Sequence, residues 1–254
     1  MNLTYLSYLK IPELLELQKR QSDPPEHDEM LFIIIHQTYE LWFKQILHEF
    51  DRLEAQLRSG ESWGAVKTLR RVLTILKTLV AQIDILETMT PLQFLSFRDF
   101  LQDSSGFQSK QFRQLEIRLG IRYGSITAAH PELAASLDAP ILWEAVQGWL
   151  SGRGHAAPAV TRTGAAHGLA FEASEAMQDV LAHVMRHDPE AALVLELLVD
   201  FDEGLQEWRY RHVKMVERTI GTKKGTGGSD GVDYLKRTLF HPVFPDLWAI
   251  RARF

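Results

Sequence analysis

The sequence predicts an all-α fold, a single helical-bundle domain with four long helices plus short accessory helices. Three observations carry this expectation. Apolar residues recur at alternating steps of three and four along most of the chain, the spacing of a buried helix face. Strand signals are scarce: no run alternates β-branched and polar residues, and no Asn-Gly pair marks a hairpin turn. No internal repeat appears, so the four long periodic segments read as one bundle.

The elements follow in order. Residues Asp28 to Arg58 contain neither Pro nor Gly, and Phe32, His36, Tyr39, Phe43, Ile46, Phe50, Leu53 and Leu57 form one seam. The preceding "SDPPEHDEM" stops the earlier turn with two prolines and places acids at the new N-terminus. Gly60 follows the end of this helix. A second long helix runs from Ser62 to Met89, with Val66, Leu69, Leu73, Leu76, Val80, Ile83 and Leu86 at helical spacing. A short helix after Pro91 is broken by "DSSG", Asp103 to Gly106, and another covers Phe107 to Leu119.

From His130 to Leu169 the periodicity fades, and "SGRGHAAPAVTRTGAAHG" reads as an exposed connection of low order. Residues Ala170 to His187 and Pro189 to Ile220 read as two more long helices. Gly221 caps the last of these, and two short helices lie between Asp230 and Trp248.

Composition narrows the chemistry. The 254 residues carry a formal charge of −5 and are 45% hydrophobic, with no Lys/Arg block to track phosphates. That balance argues against a nucleic-acid footprint. With no cysteine, thiolate zinc sites, iron–sulfur clusters and thiol nucleophiles are excluded, and a metal must be held by His, Asp or Glu. No leader or membrane span is visible, so the expectation is a cytoplasmic protein.

Several constellations could carry function. "GTKKGTGGSDG", Gly221 to Gly231, suggests a phosphate cradle, but it follows a helix and lacks the Gly-Lys-Ser/Thr order. A helix cap with a surface turn explains it, although glycines flanking Thr226 would also let backbone approach a ligand. His212 shares a helix face with Leu205, Trp208, Met215 and Ile220, and His36 lies between Phe32 and Tyr39. Each alone reads as a core histidine. Two of them, on long helices far apart in sequence, fit equally the axial ligation of a porphyrin in an apolar surround. Arg98, among Phe94, Phe97 and Phe100, is a surface residue, a partner of Asp99 or a fork for a ligand carboxylate. A di-iron bundle is excluded, because no Glu-x-x-His occurs. His183 and His187, four apart, read as a surface pair.

Four stretches carry a resemblance. "LTYLSYL", "HDEMLFIIIHQTYELWFKQILHE", "FRDFLQDSSGFQSKQFR" and "RYRHVKMVERTIGTKKGTGGSDG" closely resemble the tryptophan 2,3-dioxygenases. These are haem-dependent oxygenases that open the indole ring of L-tryptophan with O2 to give N-formylkynurenine. The resemblance spans the chain except for about residues 124–171, a variable insertion. It implies that His212 ligates the iron of a non-covalent haem b, one per subunit. His36 would accept a hydrogen bond from the indole N–H and serve catalysis. Arg98 would pair with the substrate carboxylate, Thr226 would contact its ammonium and carboxylate, and Phe32 would pack on the indole. Ser105 would sit beside the haem. Tyr5, Tyr8 and Leu9, in an arm over residues 1–20, would reach a neighbouring subunit of a homotetramer, a dimer of dimers.

Some positions depart from the family pattern. Phe94 stands where some members have tyrosine, which leaves the carboxylate to Arg98 and Thr226, and Asp230 replaces the commoner serine. Two alternatives therefore stay open. One is a relative that inserts a single oxygen into a tryptophan derivative to give a 2-oxindole. The other is a non-catalytic haem or tryptophan sensor.

Overall fold

The computed structural model describes residues 2–123, 125–164, 167–221, 223, 232–236 and 239–254. Helices α1 (Tyr5–Leu9) and α2 (Ile11–Leu15) precede the long α3 (Glu29–Ser59) and α4 (Ser62–Leu86). Next come α5 (Pro91–Arg98), α6 (Lys110–Arg118), strand β1 (Ile121–Tyr123), α7 (Ser125–Ala129) and α8 (Leu142–Gly152). Strand β2 (His167–Leu169), α9 (Glu175–His187), α10 (Pro189–Ile220), α11 (Val232–Lys236) and α12 (Pro245–Ala249) follow. The all-α class expected from periodicity is the one observed.

Helices α3, α4 and α10 form the frame, with α10 packed most extensively on α4 and α3 on α4. The α3–α4 turn is made by Gly60, whose φ of 76° lies in the left-handed region that glycine enters without strain. On α10, a Cβ at Gly204 would lie 2.8 Å from Leu76 Cδ2 on α4, so a larger residue there would have to push that methyl aside.

The seam of α3 divides in two. Phe43, Ile46, Phe50, Leu53 and Leu57 are buried in the core, whereas Phe32, His36 and Tyr39 line a cavity. Ile83 and Leu86 at the C-terminal end of α4 reach the same cavity, as do the C-terminal turns of α10. Because α3 and α4 form a hairpin, these segments meet at the end of the bundle opposite Gly60. One end is thus packed as core, and the other is opened as a site.

The middle of the chain departs from the sequence expectation. Helix α8 buries Leu142, Trp143, Val146, Trp149 and Leu150 and packs on α3, and the Trp143 ring lies 5.5 Å from that of Phe244. The stretch after it is tied down as well. Arg153 bonds Asp188 at 2.8 and 3.0 Å, His155 meets Asp188 at 3.0 Å, and Arg162 bonds Glu144 at 2.6 and 2.7 Å. Each side chain is polar and reads as solvated in sequence; its partner lies in another element.

A two-stranded antiparallel sheet, β1 with β2, sets Ile121 opposite Leu169. It continues into Ala170, whose N–H donates to the Gly120 carbonyl at 2.7 Å, and into Phe171, which bridges to Arg162. Residues 170–174 are therefore not helical. The expected helix from Ala170 begins instead at Glu175, where the Ser174 side chain accepts from the Met177 N–H. The third of the four expected long helices is accordingly only 13 residues long.

The C-terminal segment is fastened by one buried carboxylate. Asp202 Oδ2 accepts from the N–H groups of Val243 and Phe244 at 2.9 and 3.0 Å and from Trp248 Nε1 at 2.9 Å. Asp202 is fully buried, so its removal leaves those donors without an acceptor. Asp202→Ala is expected to lower stability by about 3–5 kcal/mol, measured by urea unfolding, with Asp202→Asn recovering part of it.

Candidate active site

The cavity at the open end of the bundle measures about 280 Å³ and is lined mainly by apolar side chains. Six of the residues singled out in the sequence meet there: Phe32, His36, Phe94, Arg98, Ser105 and His212. They come from α3, α5, the turn after it, and α10. Thr226 lies outside the described residues. Tyr5, Tyr8 and Leu9 do not line the cavity. They stand exposed on α1, which, like α2, has no buried residue.

His36 is oriented by its own helix. Its Nδ1 lies 2.6 Å from the Phe32 carbonyl oxygen one turn earlier. A carbonyl can only accept, so Nδ1 carries the proton and Nε2 is left as an acceptor. The ring also packs on Phe32, with centroids 4.1 Å apart. By surface area His36 is exposed, because its ring opens onto the cavity. The protein around it is nevertheless dense enough that burial lowers its proton affinity, opposed by the Phe32 hydrogen bond and by Glu40. His36 is thus a neutral imidazole with one defined acceptor nitrogen.

His212 lies on α10 with its ring stacked on Trp208 one turn earlier, at 5.4 Å between centroids and 10° between planes. Trp208 is itself held by Phe112 at 5.1 Å, Phe43 at 6.2 Å and Tyr39 at 6.3 Å. Burial, with smaller contributions from His36 and Arg113, lowers the His212 pKa to about 4. Its imidazole is therefore neutral near pH 7, the form that coordinates a metal. No cluster of three or more potential metal ligands occurs among the described residues. A metal here would take at most two ligands from the described side chains, so a cofactor would have to supply the rest.

Arg98 is placed by a short, well-fastened helix. Thr90 and Gln93 form a capping box at the start of α5, and Pro91 fixes its first turn. Phe94 and Phe97 anchor the helix in the core, 5.4 Å apart and 5.8 and 5.6 Å from Phe32. Arg98 is the last helical residue and reaches the cavity from there. Ser105 caps the following 3-10 turn, its hydroxyl oxygen accepting from the Phe107 N–H at 3.3 Å. Its own O–H remains a donor on the cavity wall.

Among the lining residues that the sequence does not mark as candidates are three buried charged ones, Arg113, Glu116 and Arg209. In "KQFRQLEIR" Arg113 and Glu116 look like an ordinary i,i+3 surface pair. The signal that could have found them is their setting, since Phe112, Leu115 and Ile117 leave that helix few solvent positions.

The arrangement suits a flat, largely apolar cofactor held by one imidazole, with an aromatic substrate fixed by a cation at one end and an acceptor nitrogen at the other. A family model described as tryptophan 2,3-dioxygenase matches residues 1–130 and 132–254. The chain is 55% identical to the tryptophan 2,3-dioxygenase of Anaeromyxobacter sp. (strain K), an alignment covering 98% of this chain and 96% of that protein. It is 53% identical to that of Herpetosiphon aurantiacus, with 98% of each covered. It is 42% identical to that of Caulobacter vibrioides, with 99% and 98% covered. With that coverage and the residues of the cavity, the chain belongs to the tryptophan 2,3-dioxygenase family.

Proposed function

We propose that this protein is a haem-dependent dioxygenase that cleaves the indole C2–C3 bond of L-tryptophan with O2 to give N-formylkynurenine. The observation that carries the reading is the pairing of His212 and His36, both neutral, on one apolar cavity that also holds Arg98. The residues fit haem b. His212 offers one strong neutral ligand, and Phe43, Phe112, Met215, Val216 and Ile220 give an apolar wall. When bound, the haem iron supplies the site at which dioxygen is activated.

The chain's own residues then do the positioning. Arg98 pairs its guanidinium fork with the substrate carboxylate, which separates tryptophan from indole and tryptamine. His36 Nε2 accepts from the indole N–H and fixes which bond of the ring faces the reactive centre. Phe32 and Phe94 match the indole in shape and exclude water. Ser105 donates to a polar group of the cofactor. Thr226 takes the amino-acid end of the substrate with Arg98.

We also propose a homotetramer, a dimer of dimers, and the exposed N-terminal arm supports its contact with a second copy of the chain. Tyr5, Tyr8 and Leu9 are 71, 68 and 42% exposed, an apolar surface suited to a second copy of this chain. There the three residues would close the neighbour's cavity over its substrate.

Product mass tests the activity. Reduced, haem-loaded protein given L-tryptophan and O2 is expected to form a product heavier by two oxygens and absorbing as N-formylkynurenine. Addition of one oxygen would replace dioxygenation with oxindole formation, and absence of turnover would point to a sensor.

A further inference from the structure

The wall of the cavity that holds His212 carries a buried group of charges that none of the roles above uses. Arg113 and Glu116 lie on α6 and Arg209 on α10, with side chains only 9, 5 and 5% exposed. Glu116 Oε2 is 2.6 Å from Arg113 Nη1, and its Oε1 is 3.5 Å from Arg209 Nη2. The contacts are close, but they are poorly aligned as hydrogen bonds. Arg113 Nε, Glu116 Oε2 and Arg209 Nη2 all lack a hydrogen-bond partner. Arg113 also lies over the rings of Phe112 and Phe107, at 4.9 and 5.5 Å.

The charge count is unequal. Arginine stays protonated inside proteins, and burial raises the Glu116 pKa although both arginines oppose it, so two cations face at most one negative charge. The cluster carries a net positive charge in a poorly solvated place, where charge acts over longer distances than at a surface. It is also adjacent to the ligand residue. Arg209 precedes His212 by three residues on the same helix, and Trp208, next to Arg209, stacks on the His212 ring. All of these residues border the same cavity. Burying such an excess is costly unless something benefits from it, and a core of apolar residues would have joined α6 to α10 at lower cost.

We infer that Arg113, Glu116 and Arg209 are positioning residues that set the reduction potential of the haem held by His212, their net positive charge favouring ferrous over ferric iron. The inference rests on the haem-binding reading above. Ferric iron carries one more positive charge than ferrous iron, so a nearby cation raises the potential and a nearby anion lowers it. The dioxygenase needs the ferrous form, and the cluster holds it there without touching the substrate.

The test is a spectroelectrochemical titration of the haem-loaded protein and three variants. Arg113→Met removes one positive charge and is expected to lower the midpoint potential. A tenfold shift in the one-electron equilibrium corresponds to about 59 mV. Glu116→Gln removes the one negative charge and is expected to raise it. Arg113→Lys keeps the charge and is expected to stay near wild type. A merely structural cluster would give shifts of the same sign in the first two variants, or none, and either result overturns the inference. Should Arg113→Met fail to hold haem, Glu116→Gln must still raise the potential. A wild-type protein without any haem couple would overturn the haem assignment itself, which is a distinguishable failure.

Discussion

His212→Ala is expected to yield a folded protein that purifies without haem and has lost at least a thousandfold in tryptophan turnover. The imidazole is the single protein nitrogen assigned to the iron, and no group of three or more ligating side chains exists among the described residues to replace it. Alanine is the best helix former, so the substitution within α10 leaves the helix itself intact. The readouts are the Soret absorbance of the purified protein and its haem content. Imidazole added to the medium is expected to restore part of the absorbance by refilling the space. Retained haem with an unchanged spectrum would remove His212 from its role.

The same residue has a signature in the apoprotein. Its folded pKa of about 4 lies below the 6.5 of an exposed histidine, with burial as the leading cause. The unfolded chain therefore takes up the proton first as pH falls. The stability associated with a neutral His212 is fully present above about pH 6.5 and is lost as pH drops toward 4. Apo His212→Ala should show a shallower decline, keeping only the share of other buried groups such as His36, which chemical denaturation across this window measures.

Much of the fold was legible because the long helices obey a single period. The α3 seam from Phe43 to Leu57 is core, as its spacing implied. Its first turns follow the same spacing but line a cavity, and periodicity cannot distinguish a wall from a core because both exclude water. His36 was therefore visible as an anomaly and not as a site until His212 and Arg98 stood beside it. Residues 125–171 were harder to read. Trp143 and Trp149 are buried on a helix of only 11 residues, and the chain after it is held by long-range ion pairs such as Arg153 with Asp188. Such pairings join positions 35 apart and leave no local pattern. The Arg113–Glu116–Arg209 cluster was missed for a related reason, because charged residues at i and i+3 look alike whether solvent or another helix covers them.

Arg98→Ala is expected to reduce kcat/KM for L-tryptophan by about two to three orders of magnitude while leaving activity on tryptamine, which has no carboxylate, nearly unchanged. Truncating one partner of a partly buried, hydrogen-bonded charge pair costs about 2–5 kcal/mol. Each 1.36 kcal/mol is roughly tenfold in rate. The middle of that range, about 3–4 kcal/mol, and not its lower end, applies here for two reasons. The guanidinium is presented from the end of α5, whose capping box and buried Phe94 and Phe97 leave little freedom to compensate. Phe94 also offers no hydroxyl to share the carboxylate. Arg98→Lys keeps the charge but not the two-pronged geometry, and it is expected to recover only part of the loss. Phe94→Tyr, which supplies a hydroxyl near the same group, is expected to soften the effect of Arg98→Ala when the two are combined. Steady-state kinetics on the two substrates decide the matter. Equal losses on tryptophan and tryptamine would mean that Arg98 shapes the cavity and does not recognise the carboxylate.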